Sequence, residues 1–90
     1  MPIRSHETPP PFGEIETAKE LGNLIRKYRK SQGLTLEKVS ALTNVGTRFL
    51  SELERGKETA ELGKTLLILN KLGITVNLQP RGQTKSLLPL

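Results

Sequence analysis

Two short helical patterns separated by only three residues constrain this chain more than any other feature. The first follows Thr35, a good N-cap whose hydroxyl can accept an orphan amide, with Glu37 well placed in the first turn and Val39 and Leu42 expected to face inward. Asn44-Val45-Gly46 then breaks the pattern. Asn and Gly tolerate positive φ better than other residues, so a tight turn is expected. The second pattern runs from about Thr47 to Arg55 and is stopped by Gly56. Leu50 and Leu53 point inward, while Thr47, Arg48, Ser51, Glu52 and Arg55 fall on the opposite face at helical spacing.

Two further helices flank this pair. Thr17-Ala18-Lys19-Glu20 fits a capping box, and Leu21, Leu24, Ile25 and Tyr28 form one apolar stripe at i, i+3, i+4, i+7 that ends at Gly33. The other helix covers roughly Ala60 to Leu72, with Leu62, Leu66, Leu69 and Leu72 as its main stripe, Leu67 and Ile68 widening it, and Gly73 closing it. Gly63 inside this helix has no evident reason. From Ile74 to Pro80 the period changes to apolar–polar alternation, which predicts one short strand ended by proline. A lone strand cannot satisfy its own backbone groups. Residues 1–14, with Pro9-Pro10-Pro11, are expected to form a mobile arm, 15–80 the ordered domain and 81–90 a loose tail whose Leu87, Leu88 and Leu90 could meet a partner protein. The expected fold class is all-α, four compact helices with one C-terminal strand.

Composition narrows the function. Ninety residues, 34% of them hydrophobic, allow one small core. The net charge of +5 points to a polyanion, either nucleic acid or an anionic membrane face. No apolar run is long enough to span a bilayer, and the proline-rich start does not read as a signal peptide, so the cytoplasm, beside the nucleoid, is the default. There is no cysteine, and the single histidine, His6, lies in the arm. Disulfides and thiolate metal sites are excluded, no catalytic constellation is visible, and neither an enzyme nor a cofactor is expected. Only Phe12, Tyr28 and Phe49 are aromatic, too few for stacking single-stranded nucleic acid, which favours a duplex.

Two short helices joined by a three-residue turn, the second polar on its outer face, make a shape that reads DNA, because the major groove of B-DNA admits one helix. Amides at helix N-termini favour phosphate, and Gly46 lets the backbone approach closely. The segment from Gly33 to Lys57 (GLTLEKVSALTNVGTRFLSELERGK) resembles the phage-repressor-like, Xre-type helix-turn-helix family. Together with Leu21-Gly22-Asn23-Leu24-Ile25-Arg26 and the terminal Leu72-Gly73-Ile74-Thr75-Val76-Asn77-Leu78, it resembles HipB-like antitoxins, which add a C-terminal strand; the resemblance spans about residues 15 to 80. Three departures stand out. Leu36 replaces a frequent Gln and cannot make its polar contact, Asn44 replaces the turn Gly, and Phe49 replaces a small residue, where it either meets a thymine methyl or packs under the helix.

The resemblance implies a sequence-specific repressor of duplex, palindromic operator DNA, acting as a homodimer, with a HipA-like kinase toxin as partner. Free-standing phage-type regulators and protein-interaction adaptors are the alternatives. Arg48 is the best candidate base reader, since Arg is the commonest reader of guanine. Thr47 and Ser51 stand beside it; Glu52 repels phosphate but can accept from cytosine; Arg55 shares the face; Lys57 fits a phosphate clamp; Thr35 can cap and touch phosphate at once. The basic run Arg26-Lys27-Tyr28-Arg29-Lys30 reads as a solvated face except at Arg29, which the resemblance pairs with Glu54. The strand is expected to pair with its copy across a two-fold axis, Ile74, Val76 and Leu78 on one face and Thr75 and Asn77 toward water.

Overall fold

The computed structural model describes residues 13–81. These hold four helices, α1 (Ala18–Ser31), α2 (Leu36–Thr43), α3 (Thr47–Glu54) and α4 (Leu62–Leu72). His6, most of the N-terminal arm and the leucines of the C-terminal tail lie outside the described residues.

Each helix starts and stops for a local reason. At α1 the Glu20 amide donates to Thr17 Oγ1 (3.1 Å), and Glu20 Oε1 accepts from the amides of Thr17 (3.2 Å) and Glu16 (2.6 Å), so a complete capping box holds the first turn. Thr35 Oγ1 caps α2 by accepting from the Lys38 amide at 3.1 Å. Three helices end alike. Beyond α1, the amides of Gly33 and Leu34 return to the carbonyls of Lys30 (2.9 Å) and Arg29 (3.1 Å). Beyond α3, those of Gly56 and Lys57 return to Leu53 (3.0 Å) and Glu52 (3.1 Å); beyond α4, those of Gly73 and Ile74 return to Asn70 (3.0 Å) and Leu69 (2.8 Å). This pair of return bonds needs a left-handed residue between helix and exit, and glycine takes that conformation without a Cβ penalty.

The helices enclose one core. α1 packs on α3, and α2 packs on both α3 and α4. Ile25, Val39, Val45, Leu50, Leu53, Ile68, Leu69 and Leu72 are buried, with Leu21, Tyr28, Leu34, Leu36, Phe49, Ala60 and Ile74 closing the edges. Burying a Val, Leu or Ile side chain contributes roughly 1.5–3 kcal/mol, so this set supplies the main stabilising term. α1 crosses α3 at backbone distance. A Cβ on Gly22 would collide with the Leu53 carbonyl oxygen and lie 2.6 Å from that of Glu54. Gly56, at φ 90°, faces α1 from the other side, where a Cβ would sit 2.7 Å from Lys19 Cα.

Three expectations differ from the structure. Leu42 is 56% exposed, and the inward position on α2 belongs to Thr43. Thr43 is tolerated there because its hydroxyl donates to the Val39 carbonyl at 2.7 Å and accepts from the Val45 amide at 3.2 Å. On α4 the buried stripe is Thr65, Ile68, Leu69 and Leu72, whereas Leu62 and Leu66 are exposed. Apolar residues lie on more than one face of this helix, and the neighbours it meets select the stripe. Finally, no strand forms among the described residues, and 74–80 carries no regular secondary structure. Among the described residues of one copy, a lone alternating segment has no second strand to form a ladder with. No helix among the described residues is long and apolar enough to cross a membrane.

Candidate nucleic-acid interface

The turn between α2 and α3 is held from inside. Asn44 takes the left-handed conformation at φ 59° and ψ 29°, and its amide still reaches the Ser40 carbonyl at 2.8 Å. Val45 is buried, and its amide is anchored on Thr43 Oγ1. Gly46 is the N-cap of α3, with no side-chain cap bond and open space where a Cβ would stand. The first amides of α3 thus face outward without a side chain over them, in the arrangement that favours an anion. Thr43 was not singled out in the sequence; its two bonds across the turn make it as necessary to the geometry as Asn44.

On the outer side of α3, Thr47 and Arg48 are exposed, the Arg48 side chain to 92%. Arg48 lies 3.5 Å from Glu52 Oε2, a loose i, i+4 pair that leaves the guanidinium free to turn outward. Glu52 is held more firmly by Lys57, whose Nζ stands 3.1 Å from Oε1. That hydrogen bond from Lys57 lowers the pKa of the Glu52 carboxyl below its ordinary value, the charges of Lys57 and Arg48 adding to it. Glu52 is therefore ionised at neutral pH and only accepts, while Lys57, half-exposed, sits just past the helix end. Ser51 is half-buried and Arg55 exposed, and both turn toward α1 rather than toward Lys57. Phe49 packs against the core edge with Lys64 Nζ 5.5 Å from its ring centre, so it lies under the helix.

Behind this face a buried ion pair fixes α3 to α1. Arg29 Nε donates to Glu54 Oε2 at 2.7 Å, Nη2 donates to Oε1 at 2.9 Å, and Nη1 donates to the Leu34 carbonyl at 2.7 Å. Both residues are only 7% exposed. The hydrogen bond from the guanidinium to Glu54 raises the Arg29 pKa further, against the opposing effect of burial. A planar fork bonded at both ends to one carboxylate allows little rotation, so the pair sets the angle of α3 and also the loop that leads into α2.

Comparison with known proteins agrees with this geometry. Residues 25–78 match the Helix-turn-helix family. An HTH-type transcriptional regulator of Sinorhizobium fredii, y4mF, is 37% identical over 71 residues, covering 79% of this chain and 93% of that protein. The chain therefore belongs to the helix-turn-helix family of transcriptional regulators. Its fold is that of HipB: the structure of a HipB–O4 20mer complex aligns with a TM-score of 0.72 at 20% identity, over 78% of this chain and 99% of that one. A HipA–HipB–O2–O3 complex aligns equally well, with the same TM-score, identity and coverage.

Proposed function

We propose that this protein is a sequence-specific repressor of duplex DNA that works as a homodimer, and that it is the antitoxin of a HipBA-like operon, silencing its own promoter and binding a HipA-like kinase toxin. The observation that carries the DNA reading is the open face of α3: Thr47 and Arg48 stand exposed on a helix whose other side is fastened by the Arg29–Glu54 pair. In this reading α3 enters the major groove. Arg48 swings off Glu52 to a guanine edge, Thr47 and Ser51 contact bases beside it, and Thr35, Gly46, Arg55 and Lys57 meet the backbone or the groove wall. Glu52, already bonded to Lys57, serves chiefly to hold that lysine and accepts from cytosine only by releasing it.

Replacing Arg48 by Ala is expected to weaken operator binding by about 1–3 kcal/mol and to relax the preference at one base pair. Fluorescence anisotropy against the duplex upstream of the gene, beside a random duplex, measures both. Equal losses on the two duplexes would reduce Arg48 to a phosphate contact.

The dimer is proposed to form through residues 74–78. Val76 is 52% and Leu78 88% exposed in the single chain, and Leu62 and Leu66 on α4 are exposed as well. Antiparallel pairing of Ile74, Thr75, Val76, Asn77 and Leu78 with a second copy would satisfy their backbone groups, cover these apolar side chains and set two α3 helices roughly 34 Å apart, one turn of DNA. Val76→Pro removes one ladder bond and is expected to yield a monomer by light scattering, with affinity falling toward that of a half-site. A tight Val76→Pro dimer would move the interface elsewhere, with α4 the first place to look. The regulator reading is supported by a relative at 37% identity, the antitoxin reading by a fold likeness at 20%, so the free-standing regulator remains the second reading. Co-expression with a kinase encoded next to the gene separates them: a stable complex supports the antitoxin, and two independent proteins support the lone regulator.

A further inference from the structure

Between α1 and α3 lies an open cleft of about 650 Å³. Its walls carry Lys19 and Arg26 from α1 and Arg55 from the end of α3, with Asn23 and Ser51 as neutral hydrogen-bonding groups between them. Lys19, Asn23 and Arg26 follow at i, i+4, i+7, which puts them on one stripe of α1. The acid in the cleft wall, Glu54, has both carboxylate oxygens engaged by Arg29 and neutralises none of the other three cations. Among the described residues, Lys19, Arg26 and Arg55 take part in no salt bridge, and all three are exposed. Unpaired cations gathered in a concave wall focus a positive potential and favour a bound oxyanion.

We infer that this cleft is a phosphate subsite, which grips the DNA backbone beside the groove that α3 enters. The inference rests on the DNA-binding reading and extends it onto α1. Ser51 lies one helical turn beyond the exposed Thr47 and Arg48, and Arg55 one turn further, so a duplex that takes Thr47 and Arg48 into its groove has a backbone beside this mouth. Lys19 and Arg26 bind through charge and carry no sequence information. They add affinity that depends on salt, not on sequence.

The test uses the full chain, a duplex cut from upstream of its gene and a random-sequence duplex of equal length, titrated by fluorescence anisotropy over about 50–200 mM salt. For K19A/R26A the plot of log affinity against log salt is expected to become shallower by about 1–2, since each phosphate contact contributes about 0.9 to the slope. The loss in affinity should be by the same factor on both duplexes. K30A/K71A removes the same charge from residues that do not line the cleft and should keep the wild-type slope. Circular dichroism checks that K19A/R26A is folded, with K19Q/R26Q as the replacement if it is not. A folded cleft variant with the wild-type slope, or with no larger change than K30A/K71A, overturns the subsite and leaves the DNA reading standing. Wild-type protein that binds neither duplex overturns both.

Discussion

Replacing Glu54 by Ala is expected to destabilise the fold by about 3–5 kcal/mol, because it strands the Arg29 guanidinium in a buried site with one carbonyl as its remaining partner. In a domain of this size each kcal/mol moves the melting point by roughly 4–8 °C, so the shift should exceed about 12 °C in a calorimetric scan. Glu54→Gln keeps the shape and one acceptor but loses the charge, and should fall between wild type and Glu54→Ala. The double variant Arg29→Met/Glu54→Leu separates two meanings of the pair. An apolar pair of similar volume commonly matches or exceeds a buried ion pair in stability, so the double variant should melt well above Glu54→Ala. It should nevertheless bind DNA less selectively, since the fork that fixes the tilt of α3 and reaches the Leu34 carbonyl is gone. An unchanged melting point for Glu54→Gln would show that the pair contributes no net stability.

The second large effect is at Gly22, where Gly→Ala is expected to cost about 1–3 kcal/mol, toward the upper end of the range for overpacked sites. In an unpacked helix the same change stabilises by about 1 kcal/mol. Here the new Cβ would meet the carbonyl oxygens of Leu53 and Glu54, which are backbone and cannot rotate away, so α1 must move off α3. Gly63→Ala is the control. A Cβ there meets nothing nearer than a Glu61 carboxylate oxygen at 4.0 Å, and the variant should gain up to about 1 kcal/mol. Two identical substitutions within helices, Gly22 in the body of α1 and Gly63 in the first turn of α4, with opposite signs in denaturant melts would isolate the close approach. Equal signs would mean that α1 and α3 are not in backbone contact.

These two sites also divide what was legible in the sequence from what was not. The Thr17–Glu20 capping box, the Thr35 cap, the left-handed Asn44 and the glycines that end the helices are local signals, because each needs only neighbours within a few residues along the chain. The four helices and the α2–turn–α3 unit follow from them, with ends displaced by a residue or two at α3 and α4. The face of α3 that is open and the face that is buried were also readable, since its apolar residues occupy one side only. Gly22 carried a signal of a different kind: a glycine in mid-helix opposes helix propensity and needs a reason, but the reason is a carbonyl more than thirty residues away in sequence. Gly63 carries the same signal with no such partner, so the residue type alone could not tell them apart.

Tertiary structure decided the rest, wherever more than one local answer was available. α4 offers leucines around much of its circumference, and only contact with α2 and the rest of the core selects Thr65, Ile68, Leu69 and Leu72 over Leu62 and Leu66. Thr43 displaces Leu42 from the interior because a hydroxyl bonded to Val39 and Val45 closes the turn, which a leucine side chain cannot do. The cleft of Lys19, Arg26 and Arg55 exists only because α1 and the end of α3 meet; in the sequence Arg26 read as part of a solvated charge run and Arg55 as a residue of the outer face of the second short helix, with nothing to join the two or to single out Lys19. The alternating segment after Gly73 marks the limit in the other direction: its period is plain in the sequence, yet a strand is a property of two segments, and the described residues of one copy supply only one of them.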